Sequence, residues 1–112
     1  METNFNFNSQ VCTDKVQSER LLALGLKKET ADMCLTDDVE CTFPCPEDDR
    51  FIPAWSMSRL IDMCYVTISI FDEGVSLSSG KEFNTEKTLY GNLINVIEWL
   101  IKEGYFNKEY LV

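Results

Sequence analysis

Side chains that commonly carry catalysis are scarce in this chain of 112 residues. It contains no histidine, so the side chain that most often acts as general base near neutral pH is missing. Ser–His–Asp and Cys–His arrangements therefore cannot form. The phosphate loops G-x-x-x-x-G-K-[ST] and G-x-G-x-x-G are absent, and Gly80-Lys81 lacks the following serine or threonine. We expect no catalytic residue, no cofactor and no enzymatic activity.

Five cysteines could in principle bind a metal, and the closest two, Cys41 and Cys45, form a C-x3-C pair. A structural zinc site needs four ligands, so Cys12, Cys34 or Cys64 would have to converge on that pair. Their odd number and irregular spacing also argue against a disulfide framework. We interpret the cysteines as small buried apolar residues and loop thiols, and we expect no metal site.

Carboxylates are concentrated between residues 36 and 50, where the sequence holds a single base, Arg50. The calcium-loop pattern D-x-[DN]-x-[DN]-G is absent, and a run of like charges is usually a solvated loop. Pro44 and Pro46 exclude a regular helix, although alternation at Val39, Cys41 and Phe43 would suit a short strand. The sequence predicts an acidic loop at 36–50 whose carboxylates are candidate partner-binding residues: Asp37, Asp38, Glu40, Glu47, Asp48 and Asp49.

The formal net charge is −9, from 19 acidic and 10 basic residues. Binding to nucleic acid through phosphates needs a positive field, so we expect no nucleic-acid partner. An acidic surface would instead attract a basic protein. A second hypothesis is a decoy that mimics DNA phosphates and blocks a DNA-binding protein, which would require carboxylates in two rows at phosphate-like spacing.

The rest of the chain is organised around one amphipathic helix near its end, over 88–103. Thr88 suits the N-cap and Gly104 the residue after the last turn. At about 100° per residue, one continuous apolar face forms, with Asn92, Asn95 and Glu98 on the opposite side. That face contains Leu89, Tyr90, Leu93, Ile94, Val96, Ile97, Leu100 and Ile101.

Trp99 is the exception in this helix, because it falls on the polar side. One interpretation is that Tyr105, Phe106 or another segment covers it. The other is an exposed aromatic anchor for a partner, since tryptophan is enriched at interface hot spots. Trp99 is therefore a candidate partner-binding residue.

Two further helices are predicted. The first is capped by Thr13, places Val16, Leu21 and Leu24 on one side, and stops at Gly25. The second follows an N-cap at Ser56, and its apolar stripe has the spacing i, i+3, i+4, i+7. Trp55 precedes that cap and is interpreted as structural, packing on Leu60. The stripe consists of Met57, Leu60, Ile61 and Cys64.

The best strand is 65–71, which is β-branched and aromatic. Asp72-Glu73-Gly74 predicts a tight turn with Gly74 at positive φ, and Val75 to Ser78 alternates, so the two runs form a hairpin. Short strands are also expected at 33–35 and 82–84. We expect the closing helix to cover the hairpin face formed by Val66, Ile68, Ile70, Val75 and Leu77.

These elements predict a single α+β domain over 1–112: about three helices on a small antiparallel sheet built on the 65–78 hairpin, as two layers or an α–β–α sandwich. No apolar run approaches the roughly 20 residues that cross a bilayer. The first residues lack a basic and an apolar signal region. We therefore expect a cytoplasmic protein with no membrane partner.

Several short motifs resemble a group of small uncharacterised proteins of gut Bacteroides-type bacteria and of their phages and mobile elements. They are the runs 21–26 (LLALGL), 30–33 (TADM), 52–56 (IPAWS) with Arg59-Leu60, and 99–101 (WLI) with 103–105 (EGY). The group has no activity to assign to any residue. In its order of elements, the chain is also similar to small phage proteins described as α–β–α sandwiches, a likeness that bears on fold alone.

The leading functional hypothesis is a small non-enzymatic accessory protein that binds another protein through the acidic loop, Trp99 or an open sheet edge. Hairpins leave edge strands, and edges invite added strands or a second copy. A homodimer is thus a further expectation. A small enzyme is the third hypothesis, and it would need a concave pocket with polar groups of shifted pKa.

Overall fold

The computed structural model describes residues 11–36, 39–41, 51–64, 66 and 68–112. These residues form three α-helices and antiparallel strands, which confirms the α+β class. The helices are α1 (Lys15–Ala23), α2 (Met57–Cys64) and α3 (Leu89–Glu103). The strands are β1 (Met33–Thr36), β2 (Val39–Cys41), β3 (Phe51–Ala54), β4 (Ile68–Phe71), β5 (Gly74–Leu77) and β6 (Glu82–Phe83).

Helix α3 has the ends and the buried face that the sequence predicts. The Thr88 hydroxyl accepts from the backbone N–H of Gly91 at 3.1 Å, and Gly104 ends the helix at φ 79°. Asn92 departs from the prediction: it is buried, although we expected it on the polar side. The buried apolar face comprises Leu89, Tyr90, Leu93, Ile94, Val96, Ile97 and Leu100.

Helix α1 begins one residue later than expected. Asp14 is the N-cap, because its carboxylate accepts from the Gln17 backbone while the Gln17 side chain accepts from the Asp14 N–H. The Thr13 hydroxyl instead lies in the core, where it accepts a hydrogen bond from the backbone N–H of Trp55 at 3.0 Å. Leu21 is buried as expected, but Val16 is 74% exposed, so the predicted shared face is wrong at that residue.

Helix α2 begins at the predicted cap, since the Ser56 hydroxyl accepts from the Arg59 N–H at 3.2 Å. Trp55 is fully buried, and its indole N–H donates to the Thr30 hydroxyl at 3.0 Å. Asp32 holds the start of the helix, because its carboxylate accepts from both the backbone N–H and the hydroxyl of Ser56. Trp55 thus has the structural surroundings that the sequence predicts.

The predicted hairpin is the pair β4–β5, and β6 extends it to a three-stranded antiparallel sheet in the order β4-β5-β6. Helix α3 packs on the two strands β5 and β6. Val75 and Leu77 of β5 are buried as expected. Val66 and Ile70, expected under the same helix, are 39% and 44% exposed, so that part of the prediction is wrong.

The tight turn of the hairpin differs from the prediction in which residue has positive φ. Asp72 adopts φ 52°, while Gly74 is not among the glycines at positive φ. Gly74 instead leaves room for the Phe71 ring, since a Cβ there would lie 2.9 Å from its Cε2 atom and the ring would have to shift. Asp72 can occupy this region because aspartate tolerates left-handed backbone better than most side chains.

A second three-stranded antiparallel sheet, in the order β2-β1-β3, is built from residues 33–36, 39–41 and 51–54, whereas we expected a single sheet. Strands at 33–36 and 39–41 fall where the sequence offered candidates. Strand β3 was not predicted, because Pro53 is unfavourable within a strand. It is accommodated because β3 lies at the edge of its sheet, where one side of the strand needs no ladder hydrogen bonds.

The core is one apolar cluster formed by the three helices, Trp55, the sheet face of β5 and β6, and Phe106. Among the described residues, every buried side-chain nitrogen or oxygen has a hydrogen-bond partner. None of the helices described is both long enough and apolar enough to cross a membrane.

Candidate interaction surface

Trp99 of α3 lies in an aromatic cluster with Phe83 of β6 and with Tyr105. Its ring is 6.0 Å from that of Tyr105 and 6.2 Å from that of Phe83, and the Lys81 ammonium lies 5.6 Å from its centroid. The side chain is half-buried and packs on the core. This geometry matches the interpretation that Tyr105 covers Trp99, and its role in binding a partner stays a prediction.

Five of the acidic candidates lie outside the described residues: Asp37, Asp38, Glu47, Asp48 and Asp49. The sixth, Glu40, has its backbone in β2 opposite Leu35. Their role in binding therefore also stays a prediction.

Cys12, Cys34 and Cys64 are buried, while Cys45 lies outside the described residues and the backbone of Cys41 pairs with that of Cys34. Burial raises the pKa of the Cys64 thiol to about 12, because an apolar environment disfavours the thiolate. A protonated thiol is a poor nucleophile and metal ligand. In the part of the chain that is described, no three His, Cys, Asp or Glu side chains are grouped to hold a metal ion.

The outer side of β4 is an edge of its sheet whose neighbouring side chains are exposed. This strand pairs with β5 on one side, and among the described strands it has no neighbour on the other. Phe71 and Gly74 close the two-residue turn, so they are a hydrogen-bonded pair. Hydrogen-bonded and non-hydrogen-bonded pairs alternate along antiparallel strands, so the next pair, Ile70–Val75, is not hydrogen-bonded. The N–H and C=O of Ile70 consequently point away from β5.

The hydrogen bonds of β5 independently support the conclusion that backbone groups of β4 point away from β5. Leu77 is the Cα partner of Ile68, yet its N–H donates to the Lys81 carbonyl on the opposite side, at 2.8 Å. Ile68–Leu77 is therefore also a non-hydrogen-bonded pair. The backbone groups of both Ile68 and Ile70 face the open edge, where they can accept a new strand.

The side chains around this edge are apolar and exposed. Ile70 is 44% exposed, Phe71 is 41% exposed and Val66, just before the strand, is 39% exposed. The run 65–71 contains no charge and no proline, although natural edge strands usually carry such protection against strand addition. We call Val66 and 68–71 the β4 edge, and its chemistry suits an extended peptide segment.

Sequence reasoning named an open sheet edge as a candidate but did not find which strand forms it. The uncharged run 65–71 was the available signal. Asp72 was also missed as a site residue: its exposed side chain follows β4 directly, at a turn whose backbone is fixed by pairing on both sides.

The chain was compared with protein-family models, curated proteins and solved structures, and none of them matches it.

Proposed function

We propose that this chain is a small, non-enzymatic accessory protein of the cytoplasm that binds another protein by accepting one of its segments as an extra strand beside the β4 edge. The observation that carries the proposal is the pair of outward-facing backbone units at Ile68 and Ile70, framed by exposed apolar side chains. In strand addition, main-chain hydrogen bonds give affinity and side chains at alternate positions give specificity.

The apolar side chains supply a driving force for such binding. Covering apolar surface contributes about 25 cal/mol per Å², and Ile70 and Phe71 keep two-fifths or more of their surface accessible. Because the side chains lie on an already formed hairpin, only the incoming segment has to be ordered. A ready-made strand lowers the entropic cost of association.

The assignment to a phage or mobile element rests on the resemblance of the short motifs to proteins of that origin. The decoy hypothesis requires two rows of carboxylates at phosphate-like spacing, and six of the 19 carboxylates lie outside the described residues. The β4 edge therefore supports protein binding more directly than the described carboxylates support a decoy.

The proposal is tested by recovering partners of the tagged protein from its native host and identifying them by mass spectrometry. We expect a stoichiometric partner with the wild type and with Ile70→Val. Ile70→Pro should lose it, because proline removes an N–H that faces the open edge while the bonds to β5 remain. Ile70→Lys, which keeps the N–H but places a charge at the edge, should also weaken recovery.

Folding of each variant is checked by its thermal melt, so that loss of binding is not confused with unfolding. Trp99→Ala serves as the comparison for the second candidate surface. Partner recovery that survives both Ile70→Pro and Ile70→Lys but is lost with Trp99→Ala would move the interface to the aromatic cluster and contradict the proposal.

A further inference from the structure

We infer that the segment added beside β4 belongs to a different, basic protein, runs antiparallel to β4, and has a lysine or arginine near its own N-terminal end, facing Asp72. This inference rests on the proposed function. It names the chemistry of the partner, which the exposed edge alone does not specify.

Charge disfavours a second copy of this chain as the occupant. Each copy has a net charge of −9, and an exposed carboxylate lies in the chain on each side of β4: Asp62 in the last turn of α2, and Asp72 directly after the strand. Antiparallel pairing of two copies would place Asp72 of one beside residues 65–68 of the other, which hold no positive charge. Parallel pairing would place the two Asp72 carboxylates together, and like charges facing each other are destabilising.

The Asp72 carboxylate is the one available to a partner at this edge. Asp62 lies 3.2 Å from the Arg59 guanidinium, and Glu73 accepts from the Leu89 N–H at 2.9 Å. Asp72 forms no hydrogen bond or ion pair with any other described residue, and its side chain is exposed. Its place in the two-residue turn fixes where a complementary positive charge must lie.

The direction of the added strand follows from the ladder geometry. Antiparallel pairs are slightly more stable per residue than parallel pairs, and their hydrogen bonds run perpendicular to the strands. The N-terminal end of an antiparallel partner lies beside the C-terminal end of β4, which Asp72 directly follows. Ile68 and Ile70 offer outward bonds two residues apart, so the partner should present apolar side chains at alternate positions to Ile70 and its neighbours.

The inference is tested with acetylated, fluorophore-labelled seven-residue peptides that alternate valine and threonine. One has lysine at its N-terminal end, a second has lysine at its C-terminal end, and a third has glutamate at its N-terminal end. A fourth has the sequence of residues 3–9 of this chain, to represent an occupant from the same protein. Affinities for the full chain are measured by fluorescence anisotropy at low and at physiological ionic strength.

We expect the peptide with N-terminal lysine to bind the wild type about two- to fivefold more tightly than the one with C-terminal lysine, the range typical of one exposed ion pair. The difference should shrink with added salt. Asp72→Asn should abolish it without unfolding the turn, because asparagine also tolerates positive φ. Asp62→Asn is the matched control and should leave the preference for N-terminal lysine in place.

Equal affinities for the two lysine peptides, or tightest binding of the glutamate peptide or of the 3–9 peptide, would overturn the inference while leaving strand addition at β4 intact. A dimer seen by sedimentation and abolished by Ile70→Pro would do the same. If no peptide binds, the inference fails, and the recovery of native partners decides the proposed function separately. Peptide binding that is unaffected by Ile70→Pro would instead contradict the proposed function.

Discussion

Strands β4 and β5 are partners in one hairpin, yet they lie in opposite environments. Ile70 and Val75 are directly paired on the same face of the sheet, but Ile70 is 44% exposed and Val75 is fully buried. Both strands alternate apolar and polar residues in the sequence. The pattern of a strand therefore indicates which face is apolar, and its place in the sheet decides how much of that face is covered.

The width of the covering helix explains the difference. An α-helix with its side chains is about 10 Å across, and neighbouring strands are about 4.8 Å apart. One helix thus covers about two strands, and α3 packs on β5 and β6. The third strand, β4, is left at the rim of the sheet, where the side chains of Ile70 and Phe71 and the outer backbone remain accessible.

The largest expected effect is on stability, when isoleucine is shortened to alanine in the core and, as a control, at the rim of the sheet. Ile97→Ala should lower the free energy of unfolding by about 2–5 kcal/mol, because Ile97 is fully buried in the core face of α3 and its loss leaves a cavity. Ile70→Ala, the matched control at the rim, should lower it by about 1 kcal/mol, since nearly half of that side chain is already in water. Urea denaturation measures both, and equal losses would mean that α3 does not distinguish the two positions.

A second prediction concerns the bonds that hold α3 to the hairpin turn. The buried Asn92 amide donates to the Glu73 carbonyl at 2.6 Å, and its oxygen accepts from the Glu86 N–H at 3.0 Å. Asn92→Ala should cost about 2–3 kcal/mol, because buried backbone groups lose their partners. Asn95→Ala should cost less, about 1 kcal/mol, because Asn95 is half-buried and bonds only side chains that water can reach, those of Arg20 and Thr85. Chemical denaturation of both variants tests this. A similar small loss of unfolding free energy for each would show that Asn92 does not stabilise the hairpin turn against α3.

The buried side of the molecule should also respond to alkaline pH. Burial raises the pKa of Cys64 from 9.0 to about 12, so the folded state keeps the proton while the unfolded state releases it above pH 9. Stability that is present below pH 9 should therefore be lost as the pH rises toward 12, by up to about 1.4 kcal/mol per pH unit. Urea denaturation between pH 8 and 10.5 should show this loss in the wild type in excess of that in Cys64→Ala. If the free energy of unfolding changes with pH in the same way for both proteins, the raised pKa of Cys64 is contradicted.

The smallest expected effect lies at the turn that joins the two strands. Asp72→Gly should raise the free energy of unfolding by about 0.5–1 kcal/mol, because φ 52° is strained for a residue with a Cβ and free of strain for glycine. Asp72→Asn should change it little, since asparagine adopts this region as readily as aspartate. Thermal melts of the two variants compare them, and destabilisation by glycine would mean that the turn is relaxed with aspartate.

Much of the local structure is predictable from the sequence because it depends on neighbours along the chain. The ends of α3 follow from Thr88 and Gly104, and its apolar face follows from the spacing of residues 89–101. The N-cap at Ser56 and the hairpin at 68–77 are of the same kind. Strand β3 was missed because Pro53 argues against a strand unless its edge position is known.

The sequence predicted that an open sheet edge could be a binding site, but not which strand forms that edge. The sequence shows an uncharged apolar run at 65–71, which is suited to an edge, but it shows nothing of the strand order β4-β5-β6. Asn92 illustrates the same limit: its helical angle places it among polar residues, and only the approach of Glu73 and Glu86 makes it a buried anchor.

The sequence by itself determined α2, α3 and the hairpin at 68–77, with the caps at Ser56 and Thr88 and the apolar face of α3, because these depend on backbone preferences and on side-chain periodicity within about a dozen residues. The tertiary structure alone decided that β4 lies at the rim of its sheet and that Asp72 has no partner among the described residues. These facts depend on which strands α3 can reach, a question of distance between segments that are remote in the chain. The surface available to other molecules is therefore set by packing.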